Sequence, residues 1–396
     1  MNVLEKCYAY TRADEVRAAD FYPYYPIFDG ADQDGGVARV DGRSMTNLGS
    51  GDYRSFTHHP QVRQAAREAI DHWGTSATDS RLLSGNLALH EQLEGELADF
   101  YGAEAALVYS AGYLANLGAV SALAGRGEAV VLDQQAHASL IDGAQLARAQ
   151  GAAMKFFSRN DASSLHRTLT ELSTTPTLVC VSGLHSMEGD IAALPDLLQI
   201  ADHHGATLLV DDAHGLGVLG RGRGSIAHHA LDGQIPLTTV SFSKSLASQG
   251  GAVLADRKVI DFLRHTSRPA MFSAGLAPAS TAAALTALRL LTNQPTAPRA
   301  LALAARLRTA LAEMGYSVPT GSGPVIPVRF ADEYMLLLSH RMLTNHGIYS
   351  NPILPPGAEG PQLRLIVTDA HTDESITACL EVFAHLRDDL VETPSA

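Results

Sequence analysis

The chain has 396 residues, 46% of them hydrophobic and 18% charged, with a formal net charge of −13. That is enough for a large core and two or more domains, and the acidic balance argues against a nucleic-acid binder or a polybasic membrane surface while leaving room for local cationic pockets. Its three cysteines, Cys7, Cys180 and Cys379, form no CxxC pair, so no disulfide framework is expected and a reducing, cytoplasmic setting fits.

Residues 1 to 45 read as an N-terminal arm. Met1 to Tyr10 carries Glu5 and Lys6 and lacks the apolar core of a signal peptide, and the segment from Phe21 to Pro26 is aromatic and proline-rich. From there strands and helices alternate. Strands are predicted at 106–109, 129–132, 153–157, 178–181, 207–210, 237–240 and 252–255. Helices are predicted at 89–100, 112–123, 139–150 and 194–204. The alternation predicts a mostly parallel sheet with helices on both faces, filling a large domain over 46–292. The most apolar window, 105–125, is broken by Tyr109, Ser110, Tyr113 and Asn116, so it reads as strand, turn and helix and no integral membrane segment is expected. The Thr292 to Pro298 stretch marks a composition shift. Beyond it, helix 300–314, strands 325–330 and 363–367, and helix 374–386 predict a smaller α+β domain over 293–396. Asn351 to Gly357 holds three prolines and cannot join a helix.

In open α/β sheets, ligands bind at the carboxyl ends of the strands. Four features fall at such ends. Gly112, in Ser110-Ala111-Gly112-Tyr113, lets backbone come close where a helix begins, which suits a phosphate or simply tight packing. His137 follows the second strand, where an imidazole serves acid–base chemistry or flanks a helix cap. Asp211 and His214 close an apolar strand; Asp212 beside them suits a helix N-cap. No set of His or Cys with ligand spacing lies nearby, so no metal is expected. The fourth is Ser241-Phe242-Ser243-Lys244. A lysine in a serine-rich turn is ordinarily a solvated surface group. The ordered series of phosphate turn, His, strand-end Asp and Ser-x-x-Lys changes that reading. A lysine amine and a strand-end carboxylate are what pyridoxal 5'-phosphate (PLP) requires: the amine binds its aldehyde carbon and the carboxylate holds its ring nitrogen protonated.

Further segments share a pattern with these. They are Gly85 with His90, Leu93 and Glu94; the run Ser110 to Asn116; Asp133 to Ser139; Ser186-Met187-Glu188-Gly189-Asp190; Val210 to Gly215; Ser241 to Lys244; and Leu363-Arg364 followed by Ala370-His371-Thr372. On these the chain, from about residue 45 to 385, resembles the α-oxoamine synthases, most closely the bacterial serine palmitoyltransferase-type members. The resemblance implies a fold-type I PLP-dependent transferase and a homodimer with sites at the subunit interface. It implies condensation of an amino acid with an acyl thioester, on CoA or an acyl-carrier protein, giving an α-amino ketone, CO2 and free thiol. By position, Lys244 is the implied Schiff-base lysine and Asp211 the partner of the pyridine nitrogen. His214 and Ser186 are implied near the phenolic oxygen and His137 over the ring. Gly112, Tyr113 and Ser241 are implied at the phosphate, with the partner's Ser273 adding a contact. Arg364 is the implied clamp on the substrate carboxylate, where a planar guanidinium suits a planar anion.

Three positions depart from the family pattern. Gly51, in Ser50-Gly51-Asp52-Tyr53, stands where an asparagine is usual. It reads either as a changed substrate pocket or as a tight turn. Ser182-Gly183 lacks the acid expected before Gly183, and Ser273-Ala274 lacks one hydroxyl. Two other functions stay open: another PLP reaction on the same fold, an aminotransferase or aldolase, and a regulatory subunit without cofactor. Retention of Lys244, Asp211 and His214 argues against the second.

Overall fold

Seven short apolar runs line up as one sheet in the computed structural model, which describes residues 2–392 apart from 20, 21, 32–34, 294, 297 and 356. The strands are β1 Ala105–Tyr109, β2 Ala129–Asp133, β3 Ala153–Phe157, β4 Thr177–Ser182, β5 Thr207–Asp211, β6 Leu237–Ser241 and β7 Gly251–Ala255. Their spatial order is β1-β7-β6-β5-β4-β2-β3. All neighbours are parallel except β7, which runs antiparallel to both β1 and β6. The sheet is therefore mostly parallel, as the alternation predicts. Most of its strands are buried along their length, and the edge strand β3 is the exception. Continuous apolar runs suit such strands because helices cover both faces. Successive residues point to opposite faces. Val131, Val179 and Val210 join one core cluster, and Val130, Cys180 and Leu209 join the other.

The helices that feed the site are α1 Ala88–Tyr101, α2 Gly112–Leu123, α3 Ala138–Ala149, α4 Ala162–Leu172 and α5 Leu194–His203. The chain leaves β2 for β3 on one side, while β4, β5 and β6 step away on the other. The carboxyl ends of β2, β4, β5 and β6 flank that reversal and carry Asp133, Ser182, Asp211 and Ser241. That is where an open sheet of this kind binds ligands.

The chain divides into two compact units. One is Gly51–Ala302 with Thr320–Pro324, which contains the seven-stranded sheet. The other is Met1–Ser50 with Leu303–Pro319 and Val325–Ala396. Within the second unit, strands Phe28–Ala31, Val37–Val40 and Arg43–Asn47 form a four-stranded sheet with Ile348–Tyr349. The arm reading gives no hint of these strands. Their signal is Asp41-Gly42, both with positive φ, closing a two-residue hairpin between Val37–Val40 and Arg43–Asn47. A second sheet orders Val325–Arg329, Gln362–Ile366 and Asn351–Ile353. Asn351 to Ile353 is thus an edge strand, a place where Pro352 costs no internal ladder bond. Phe21, Gln294, Ala297 and Pro356, which belong to segments singled out from the sequence, lie outside the described residues. No helix among the described residues is long and apolar enough to cross a membrane.

Candidate active site

At the end of β1 the chain turns at Ala111 into α2. Ala111 has no side chain able to cap the helix, so the first amides of this 12-residue helix keep their donors for another partner. Gly112 is required by close approach. A Cβ there would fall 2.8 Å from both Cβ and Oγ of Ser241. Facing it, Gly251 is equally constrained, since its Cβ would lie 2.5 Å from the Gly112 Cα. Ser241 Oγ lies 2.8 Å from Ser243 Oγ, so two hydroxyls and a helix N-terminus converge on one spot. Tyr113 follows; its hydroxyl donates to Asp142 on α3, which pushes the phenol above its usual range.

Deeper in, Asp211 closes β5. Its Oδ1 accepts the Ala213 amide at 3.0 Å and its Oδ2 accepts Nδ2 of Asn116 at 2.8 Å. Asn116 gives its second N–H to Ser139 Oγ at 2.9 Å and accepts from Thr239 Oγ1. Ser139 Oγ, already an acceptor, has its own proton left for His137 Nδ1 at 2.7 Å, where the Ser139 amide also points. Two donors on Nδ1 put the imidazole proton on Nε2. Burial holds this imidazole below its usual pKa, against the pull of Asp211. His137 therefore presents a neutral ring with a donor N–H. The sequence places Asn116 and Ser139 only inside matched segments and gives them no role; in the structure they link Asp211 to His137.

Lys244 sits in the loop between β6 and β7. The loop is closed by Phe242 N donating to Gly250 O and Ser248 N donating to Phe242 O. One cavity is lined by Lys244, Asp211, His214, His137, Ser186 and Ser241, and by Gly112, Tyr113, Asn116, Ser139 and Ser182. His214 is held by Tyr53, whose hydroxyl lies 2.7 Å from its Nδ1. Tyr53 is fully buried and is a third functional candidate, after Asn116 and Ser139, that sequence reasoning leaves without a role.

Gly51 borders the same place. A Cβ on it would meet only Lys244 Cγ, at 3.4 Å, and its φ is not in the left-handed region. A tight turn does begin here, with Tyr53 N donating to Gly51 O at 2.8 Å, but its backbone angle does not call for glycine, and the absent side chain leaves space beside the lysine stem. Two expected residues are not in this lining. Ser273 lies in a turn after Arg268–Met271, next to Ala274, which bridges Ser80. Arg364 belongs to the other unit, on the middle strand of its three-stranded sheet, opposite Asn351 and Pro327. A larger cavity, about 580 Å³, lies in that other unit. Its ionic groups are paired, Arg12 with Glu333 and Arg17 with Asp14, and no lysine lines it.

Beneath His214 the turn is fixed by Asp212, which is fully buried. It accepts from Ser225 Oγ at 2.6 Å, Ser225 N at 3.0 Å and Tyr101 OH at 2.9 Å. Burial pushes its carboxyl up to about 7; the donors from Ser225 and Tyr101 pull down, and neighbouring Asp211 pushes up. A raised carboxyl favours the fold in its protonated form. That contribution is full below about pH 4 and is lost as pH rises through about 7. The urea midpoint is accordingly expected to fall between about pH 4 and 7. Asp212→Asn, a neutral isostere, should flatten that fall. Asp212→Ala should cost about 3 kcal/mol, because Tyr101 OH and Ser225 N are left buried without acceptors.

These residues fit PLP. The Gly112 and Ser241 contact, where a Cβ would not fit, gives a phosphate cradle with hydroxyl and amide donors. Asp211 offers an acceptor-only carboxylate for a ring N–H, and Lys244 offers the amine. The fold and this cavity define a fold-type I PLP-dependent transferase. Residues 43–383 match the family model described as aminotransferase class I and II. The serine palmitoyltransferase of Bacteriovorax stolpii is 35% identical over 95% of this chain and 90% of its own length. The 8-amino-7-oxononanoate synthase of Methylococcus capsulatus is 37% identical over 93% and 96%. A solved serine palmitoyltransferase from S. paucimobilis, carrying PLP and myriocin, superposes with a TM-score of 0.93 at 31% identity, covering 99% of this chain and all of that one. The chain belongs to the aminotransferase class I and II family and, within it, to the α-oxoamine synthases, which are PLP-dependent acyltransferases.

Proposed function

We propose that the enzyme condenses an amino acid with an acyl thioester, on CoA or an acyl-carrier protein, releasing CO2 and free thiol and leaving an α-amino ketone. The observation that carries this reading is the single cavity shared by Lys244, Asp211 and a neutral His137 with its donor N–H. PLP, when bound, supplies an electron sink for charge developing at the amino-acid α-carbon. Every other part falls to the chain. Lys244 binds the cofactor covalently and, once displaced, takes the α-proton on Nζ. Asp211 keeps a proton on the cofactor's ring nitrogen. His137 Nε2 donates to the thioester carbonyl oxygen as charge builds there. His214, set by Tyr53, and Ser186 face the phenolic oxygen; Gly112, Tyr113 and Ser241 hold the phosphate.

In this reading Arg364 binds the substrate carboxylate, and the chain acts in the cytoplasm as a homodimer in which the partner's Ser273 reaches the phosphate. Gly51, leaving room beside Lys244, favours an amino acid whose substituent needs that space. The test is a panel of amino acids and acyl thioesters with CO2 and free thiol both quantified. Both products should appear only when both substrates are present. Amino-group transfer to a keto acid without thiol release would establish an aminotransferase instead.

A further inference from the structure

Between β4 and α5 the chain makes a turn, Gly183 to Ile191, that brings Ser186 to the cavity. The residue before it, His185, is only 2% exposed and is not part of that lining. Its backbone organises the turn: His185 N donates to Asp190 O at 3.0 Å and Gly189 N donates to His185 O at 2.9 Å. Its ring faces two carboxylates. Nδ1 lies 3.3 Å from Asp190 O, its hydrogen-bond partner, and 3.4 Å from Asp190 Oδ1, and Nε2 lies 3.8 Å from Asp133 Oδ2. At 3.8 Å that second contact is electrostatic and not a hydrogen bond, and Nε2 has no hydrogen-bond partner among the described residues.

Asp133 ends β2 and organises a different turn. Its Oδ1 accepts the Gln135 amide at 2.8 Å and its Oδ2 accepts the Asn160 amide at 2.8 Å. That turn leads directly to His137. Asp133 is itself only 1% exposed. A buried imidazole and a buried carboxylate thus stand at the roots of two loops from different strands. Burial penalises the His185 charge, but Asp133 and Asp190 outweigh it and raise the imidazole pKa; the same contact, with the two amides, holds Asp133 below the usual carboxylate range despite burial. The charged groups linked to Asp190 by ion pairs are Arg159 and, through it, Glu188: Arg159 Nη1 lies 3.5 Å from Asp190 Oδ1 and 3.9 Å from Glu188 Oε2.

We propose that His185 is a positioning residue: clamped between Asp133 and Asp190, it ties the turn that carries Ser186 to the turn that carries His137, so that both walls of the cavity are set by one buried charge pair. A cationic imidazole holds its charge between both carboxylates at once, whereas a neutral one offers a single N–H, which the Asp190 carbonyl takes, and leaves Asp133 without a counter-charge. An apolar substitute leaves Asp133 buried without its counter-charge. The tie is present below about pH 6.5 and is lost as pH rises through the elevated pKa of the folded state. Its importance for catalysis rests on the proposed roles of Ser186 and His137; its existence does not.

Hydrogen exchange of the full chain, read segment by segment and corrected for intrinsic pH effects, tests it alongside kinetics. In the wild type, exchange at 134–139 and at 183–190 should accelerate together as pH is raised from 6 to 9. At pH 6, His185→Leu should speed both segments at least about tenfold, lower kcat/KM about tenfold and weaken PLP binding to the apoprotein. His185→Gln, which keeps an N–H donor without charge, should fold normally, show no pH step in either segment and recover part of the kcat/KM. If the Leu variant does not fold, the Gln variant decides. Acceleration confined to 183–190, or an unchanged pH step in His185→Gln, overturns the proposal. A wild type that fails to condense amino acid and thioester counts against the functional reading alone, and the exchange data still decide the tie.

Discussion

Lys244→Ala is expected to lower kcat/KM by at least about 10³-fold and to leave no PLP fixed to the chain after borohydride treatment. The chain has only four lysines, Lys6, Lys155, Lys244 and Lys258. Lys244 is the one lining the cavity, while Lys155 pairs with Glu171 at the surface. Peptide mapping of the reduced wild type should therefore find the pyridoxyl group on the peptide containing Lys244 alone. The variant should keep its fold, because the loop from Phe242 to Gly250 is closed by backbone bonds that the lysine side chain does not make. It should also still take up PLP reversibly through the phosphate cradle and Asp211. A reducible adduct at Lys6, Lys155 or Lys258 in the wild type, or activity in Lys244→Ala within tenfold of normal, would remove Lys244 from the site.

The sheet was legible because burial on both faces turns most of its strands into continuous apolar runs, and the polar residue that stops such a run at the switch in strand order falls where the ligand site must be. Asp211 and Ser241 are visible for that reason, and His137 because it follows such a strand end, four residues after Asp133. What decides their chemistry is not local. Asn116 reaches Asp211 across 95 residues and Thr239 across 123, and Tyr53 reaches His214 across 161. A single sequence carries no mark of such pairings. The strands at 28–47 escaped because short two-sided strands lack a long apolar run, leaving Asp41-Gly42 as the one local signal. Gly51 shows the opposite case: its residue type admits a turn or a space, and the structure has both, with a turn whose backbone angle does not call for glycine.

Asp211→Asn is expected to lower kcat/KM by about 10²- to 10⁴-fold and to reduce stability by about 1–3 kcal/mol, measured by steady-state kinetics and urea unfolding. The two losses have different causes. An amide cannot hold a proton on the cofactor's ring nitrogen as a carboxylate does, so the sink for α-carbon charge is weakened. Separately, both carboxylate oxygens of Asp211 now accept N–H donors, from Ala213 and from Asn116. An amide NH2 must face one of those donors. If Asn116 rotates to accept from it, Ser139 loses its donor, and the hydrogen bond that fixes the proton of His137 on Nε2 loses its support. The substitution should therefore damage acid–base work at His137 as well as the cofactor, and the pH profile of kcat/KM should change shape, not only height. Asn116→Ala isolates the second effect, since it leaves the Asp211 charge in place; it should alter the profile with a smaller loss, about tenfold. Retention of kcat/KM within tenfold in Asp211→Asn would show that the carboxylate is not the partner of the ring nitrogen.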